Sequence, residues 1–139
     1  MYDIVDATIE DFFEVSGDAF EATTSDQDCY DGYHFDKLVF DGKPLVVAGY
    51  IVVWNERTQQ NELYMCFVVS KDVVKHKRAL LMFGKDYVNF FAKQYPLSVI
   101  VEQDNSVFKK FAQHFGFEQT NFVEKSVESG IIYNVYIRR

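Results

Sequence analysis

Two hydrophobic periods alternate along this chain of 139 residues, and each predicts an element. Tyr2 to Ala7 reads as a short strand. Thr8, with Asp11 three residues on, makes a capping-box-like helix start, and Ile9, Phe12, Phe13 and Phe20 form an apolar stripe at helical spacing. Thr23 to Asp31 is polar and irregular, with one short helix predicted around Cys29 to Tyr33. Leu38 to Phe40, a turn over Asp41-Gly42-Lys43-Pro44, and Leu45 to Trp54 read as a β-hairpin, with a bulge predicted at Gly49.

Asn55 to Asn61 is a polar loop. Leu63 to Val69 is apolar on both alternating faces, which places it centrally in a sheet. A long helix is predicted from Asp72 to Gln94, its stripe formed by Leu80, Phe83, Gly84, Tyr87, Val88 and Phe91. Gly84 on that stripe lets the helix lie close to a sheet. Leu97 to Val101, after Pro96, is a continuous apolar strand of the helix-covered kind. Asn105 then caps a helix carrying Phe108, Phe111 and Phe115, and Gly116 stands where a left-handed helix end belongs. Gln119 to Glu124 and Ile131 to Ile137 form a last hairpin around Ser129-Gly130.

A strand, a long helix and a buried strand in mid-chain imply a right-handed parallel crossover within an otherwise antiparallel sheet. The predicted class is α+β: one domain over residues 1–139, with a mixed sheet of about seven mainly antiparallel strands. Its core is a parallel strand-helix-strand unit, and helices cover both faces.

Hydrophobic content of 48% and aromatic content of 17% exclude a disordered chain. No apolar run approaches membrane-spanning length, and the start MYDIVDATIEDF is acidic rather than signal-like. Cys29 and Cys66 lack CxxC spacing, so a reducing, cytoplasmic setting is expected. The net charge of −7 conceals an asymmetry: residues 1–42 hold twelve acids against Lys37 alone, and the remainder holds nine acids against thirteen bases. Such a split argues against nucleic-acid binding by the whole surface, and fits a cation at the acidic end and an anion at the basic end.

Three stretches, VDATIEDF, FDGKPLVVAGY and NSVFKKFAQHFGF, together with the element order, resemble the GNAT superfamily of acyl-CoA-dependent N-acyltransferases. In the last stretch Asn105 opens a helix that Gly116 and Phe117 close, as in a motif of that family. The chain is also similar to the small GNAT-like internal virion proteins of short-tailed phages. The resemblance implies a GNAT-like fold, and it implies acetyl-CoA or CoA, bound weakly, as the cofactor, with no metal.

It also implies site residues. The family's pyrophosphate-binding glycines fall on His76 and Arg78, its polar Arg or Gln on Val73, and its general-acid Tyr on Ala112. Phe108 stands where the family keeps a small residue beside the cofactor. Lys75, His76, Lys77, Arg78, Asn105 and Phe108 are therefore the candidate cofactor contacts, with lysines and arginine replacing some of the anion attraction that glycine amides supply. Acyl transfer to an amine also needs a base. Glu102 and Asp104, after the fifth strand, and Glu62, at the start of the fourth, are the candidates. His114 faces away from the phenylalanine stripe. His34 and His76 lack carboxylate or Cys partners at metal-ligand spacing, so no metal site is expected.

Two functions follow. Five departures, at Val73, His76, Arg78, Phe108 and Ala112, favour a GNAT-fold protein of phage type with degenerate motifs. It would act through protein contacts in a larger assembly, in a virion or the host cytoplasm. The charge asymmetry favours the alternative, an active acetyl-CoA-dependent N-acetyltransferase of a cationic amine or protein amino group. Neither reading involves nucleic acid or membrane.

Overall fold

The computed structural model describes residues 1–17, 32–127 and 130–139. Its elements are β1 (Tyr2–Ala7), α1 (Ile9–Gly17), β2 (His34–Phe40), β3 (Lys43–Asn55), β4 (Gln60–Val69), a 3-10 turn (Lys71–Lys75), α2 (Lys77–Ala92), β5 (Leu97–Glu102), α3 (Ser106–His114), β6 (Glu118–Lys125) and β7 (Ile132–Arg138). Phe20, the helix expected around Cys29 and the Ser129 turn position lie outside the described residues. The seven strands form one mixed sheet in the order β1-β2-β3-β4-β5-β7-β6. β4 and β5 pair in parallel, Leu63 to Met65 with Leu97 to Val99, and α2 joins them. The expected parallel core is therefore present. No helix among the described residues is long and apolar enough to cross a membrane.

By its internal contacts the chain falls into two compact units, Met1–Tyr50 with Cys66–Gly84, and Ile51–Met65 with Lys85–Arg139. In the first, the capping box at the start of α1 is reciprocal. Asp11 N–H donates to Thr8 Oγ1 at 3.2 Å, and Thr8 N–H donates to Asp11 Oδ2 at 2.9 Å. That backbone bond, more than Lys37 nearby, holds the Asp11 carboxyl below its ordinary range. The box starts α1 so that Phe12 and Val15 pack on Phe35, Val47, Cys66 and Val68. Burial pushes the Cys66 thiol far above its ordinary range, so it is an inert core group.

The hairpin differs from expectation in two ways. Its turn is the two-residue Asp41-Gly42, with φ of 49° and 82°, while Lys43 and Pro44 already belong to β3. Positive φ at both positions marks a type I′ turn, whose twist suits a tight hairpin. The bulge lies at Leu38/Val39, not at Gly49, which stays in register opposite Phe35.

In the second unit, α3 ends as its sequence implies. Phe117 N–H donates to Ala112 O at 2.9 Å and Gly116 N–H to Gln113 O at 3.0 Å, with Gly116 at φ 90°. These are the two bonds of a Schellman motif, and they turn the buried Phe117 into β6. Arg138 Nη1 ties the end of β7 to Asn89 Oδ1 at 2.9 Å and to Phe115 O at 3.2 Å. β6 is the sheet's edge, and its register breaks between Gln119 and Val123. Thr120 Oγ1 fills that break by donating to Val135 O and accepting from Phe122 N–H, an irregularity that discourages pairing by another strand.

Candidate functional site

The first unit carries the basic segment. Ser70 N–H donates to Leu45 O at 2.8 Å, and Ser70 Oγ accepts from Asp72 N–H at 3.1 Å, so the 3-10 turn starts from a fixed point. His76 N–H closes the turn on Val73 O, and His76 O then accepts from Leu80 N–H at 3.0 Å to open α2. The continuous helix expected from Asp72 is therefore two pieces, joined at His76, whose φ of −131° is not helical. Val73 is buried, so its side chain serves the core.

His76 is thus the N-cap of α2, yet its side chain does no capping. Its Nδ1 shares a 2.6 Å hydrogen bond with the Tyr2 hydroxyl. The ring also lies 4.6 Å from that of Phe40 and 5.5 Å, edge-on, from that of Tyr2. Among the described residues, no protein acceptor meets the amides of Lys77, Arg78 and Ala79. Unsatisfied first-turn N–H groups carry the positive end of the helix dipole. The side chains of Lys75, Lys77 and Arg78 are exposed around them. The donor set is cationic, hydrogen-bonding and free of carboxylates except Asp72, which pairs with Lys43 at 3.5 Å.

The second unit carries the remaining candidates. Glu102 is half-buried at the end of β5, opposite Tyr133, and Asp104 is exposed in the turn that follows. Asn105 is only 5% exposed, and its Oδ1 accepts from Phe108 N–H at 3.0 Å, so its oxygen is committed to capping α3. Phe108 is half-buried and its ring lies 6.0 Å from that of Phe111. Glu62 is not brought to Glu102. It precedes Leu63, which is level with Leu97, so Glu102 lies six positions further along the strand direction, roughly 20 Å away at ~3.3 Å per residue. Glu62 is therefore a separate candidate from Glu102, and its Oε1 accepts from the Thr58 hydroxyl at 3.5 Å.

Ala112 is 7% exposed within α3, and its carbonyl holds the Phe117 N–H. A tyrosine there would have to displace its neighbours, so Ala112→Tyr is expected to cost about 1–3 kcal/mol of stability through overpacking. Denaturant unfolding checks this.

Sequence reasoning missed three residues. Tyr2 and Phe40 meet His76 only through the sheet and the 3-10 turn. Asn134, 6% exposed opposite Val101, has a buried side-chain oxygen without a hydrogen-bond partner among the described residues. Its signal was a polar residue inside the apolar run of the last strand. The statement that His34 lacks carboxylate partners is also corrected. Its Nε2 is 3.3 Å from Asp36 Oδ1, because the β1–β2 register sets Asp6 opposite Asp36, two residues from His34. Donor atoms of these three lie within 4.8 Å of one another. Asp6 and His34 are exposed, and exposed groups of this kind commonly hold no ion, so no metal is assigned to them. A cavity of about 350 Å³, lined by Thr8, Glu10, Tyr33 and His34 among others, lies at the Ala7 end of β1, away from Tyr2 and the start of α2.

No family model and no curated protein matches the sequence. Solved structures do match the fold. NAA60 of Arabidopsis thaliana in complex with acetyl-CoA superposes with a TM-score of 0.72 at 9% identity, covering 99% of this chain and 98% of that one. The ribosomal-protein-S18-alanine N-acetyltransferase of Escherichia coli gives 0.69 at 16% identity, covering 99% and 92%. An acetyltransferase of the GNAT family from Streptococcus pneumoniae gives 0.64 at 12%, covering 99% and 98%. The fold is that of the GNAT acetyltransferases. At these identities the likeness establishes architecture, and the chemistry has to be argued from the residues.

Proposed function

We propose that this GNAT-fold protein is an acetyl-CoA-dependent N-acetyltransferase of a cationic amine or a protein amino group. One observation carries the reading: α2 begins with uncapped amides among Lys75, Lys77 and Arg78. That donor set suits a pyrophosphate, which needs several N–H donors and positive charge and no fixed carboxylate. Lys75, Lys77, Arg78 and the first-turn amides would hold the diphosphate of the cofactor, and His76, turned toward Tyr2, would not. Bound acetyl-CoA supplies an acetyl thioester open to attack by an amine.

The acceptor must arrive as a free amine, so its ammonium has to lose a proton. Glu102 is the base in this reading: it and Glu62 are both partly withdrawn from water at strand ends, and one carboxylate oxygen of Glu102 is buried. Asp104 is exposed and so more strongly solvated. The amine nitrogen would bond to the acetyl carbon as the carbon–sulfur bond breaks, the nitrogen would give up its extra proton to solvent, and the departing thiolate would take its proton from water. With alanine at position 112 no tyrosine supplies that proton, which points to slow turnover. Glu102→Gln, which keeps shape and removes basicity, is expected to lower the acetylation rate about 10²–10⁴-fold at neutral pH while CoA still binds. Steady-state rates beside a CoA titration check it, and an unchanged rate would remove Glu102 from the role.

The buried Ala112 also keeps the protein-contact reading in view, since it lacks an acid wherever the cofactor sits. Release of CoA from acetyl-CoA in the presence of an amine separates the two. The three acetyltransferase structures offer no parallel for the phage-virion likeness, and that part is not carried further.

A further inference from the structure

We propose that Tyr2 is a positioning residue for the anion site, and that its hydrogen bond to His76 does here what glycine does elsewhere. The inference rests on the acyl-CoA reading above and concerns how this chain keeps that site open.

An N-cap side chain normally folds over the first helical turn and meets the N–H of the second or third residue. At the start of α2 that would occupy the amides of Arg78 or Ala79. His76 holds the N-cap position, since its carbonyl accepts the first bond of α2 from Leu80 N–H. Its Nδ1 is the ring nitrogen nearer the backbone and the one placed for local capping. It is held instead by the Tyr2 hydroxyl at 2.6 Å. Phe40 backs the arrangement, with its ring 4.6 Å from the imidazole and 4.8 Å from that of Tyr2. Three rings from β1, β2 and the helix junction thus draw the imidazole toward the sheet. The first-turn amides stay without a protein acceptor, ringed by exposed cations.

Leaving a helix start uncapped costs stability, typically about 0.5–2 kcal/mol. A bond that diverts the cap residue therefore works against the fold locally and in favour of an incoming anion. A glycine at position 76 would leave the same amides bare by having no side chain. Tyr2 achieves that with a bulky residue in place.

The test is a double-mutant cycle read by calorimetric titration with CoA at low salt, with circular dichroism confirming the fold of each variant. Tyr2→Phe keeps the ring contacts and removes only the hydroxyl. It is expected to weaken CoA binding about threefold to tenfold, the usual net worth of one hydrogen bond. His76→Gly should bind CoA within about twofold of the unmodified protein, because the clamp already keeps the imidazole away. In the His76→Gly background, Tyr2→Phe should then have no effect. Equal losses in both backgrounds would make Tyr2 a merely structural residue and overturn the proposal, as would a silent Tyr2→Phe in the unmodified protein. Replacing Lys75, Lys77 and Arg78 separates the two layers of argument. If that abolishes CoA binding while Tyr2→Phe does nothing, the cofactor reading stands and the clamp falls. If the unmodified protein binds no CoA, both fall together.

Discussion

Replacement of Lys75, Lys77 and Arg78 together by Gln is expected to weaken CoA binding about 100-fold or more. Each of these exposed side chains contributes on the order of 1 kcal/mol to a phosphate contact. Three such losses amount to roughly two decades in affinity, at ~1.4 kcal/mol per decade. What survives is the helix-dipole term and the bare amides of the first turn, worth about 0.3–1 kcal/mol at an exposed site. The cations therefore dominate, and the site should behave as an electrostatic one. Its affinity should fall as salt rises from low to physiological, since exposed charges are screened within about 8–10 Å there. Calorimetry of the unmodified protein and the triple variant at two salt concentrations decides it. Tight, salt-insensitive binding that survives the replacement would place the cofactor elsewhere on the molecule.

Much of the fold was legible because its elements announce themselves locally. The Thr8/Asp11 box, the Asn105 cap and the Gly116-Phe117 ending each require only neighbours in sequence, and all three form with the implied bonds. The parallel pairing of β4 and β5 was legible for another reason. Two doubly apolar segments joined by a long amphipathic helix have few other ways to bury both faces. His34 to Lys37 was not read as strand, because one phenylalanine among polar residues carries no alternation that sequence alone can weigh. Its β structure comes from pairing with β1 and β3. The break at His76 was equally hidden. The apolar stripe of the long helix begins only at Leu80 and so does not mark the junction; the Ser70 cap and the burial of Val73 set the 3-10 turn apart.

The candidate site was legible in composition and obscure in geometry. The basic residues at 75, 77 and 78, which we propose as an anion site, stand out in the sequence by charge alone. What the alignment with glycines could not reveal is that His76 is drawn off the helix start by a residue 74 positions away. Glu62 and Glu102 both read as acids at strand ends, Glu102 the better placed, and the parallel register puts them at opposite ends of neighbouring strands.

Gly49→Ala is expected to destabilise the protein by about 1–3 kcal/mol, although alanine is the better strand former. In an extended strand, glycine costs about 0.5–1 kcal/mol relative to alanine through backbone entropy, so the substitution starts with a gain. Against it stands a collision. The added Cβ would lie 2.7 Å from Phe35 Cδ1 and Cε1 and 3.0 Å from Cys66 Sγ, where carbon atoms prefer about 3.5–4.0 Å. The Phe35 ring has little room to retreat. It is 3% exposed, lies 5.3 Å from the ring of Phe12 and is stacked at 6.2 Å on that of Tyr33. Phe12 belongs to α1, so moving the ring disturbs the packing of that helix on the sheet. Overpacking of a core by one methyl group typically outweighs the entropy gain, and the melting temperature should fall by about 3–10 °C. Thermal and denaturant unfolding of Gly49→Ala, alone and with Phe35→Leu, measures the balance. If the collision is the cause, the smaller side chain at position 35 makes Gly49→Ala nearly neutral in that background. A Gly49→Ala protein as stable as the original would show that glycine is here for some reason other than the Phe35 ring.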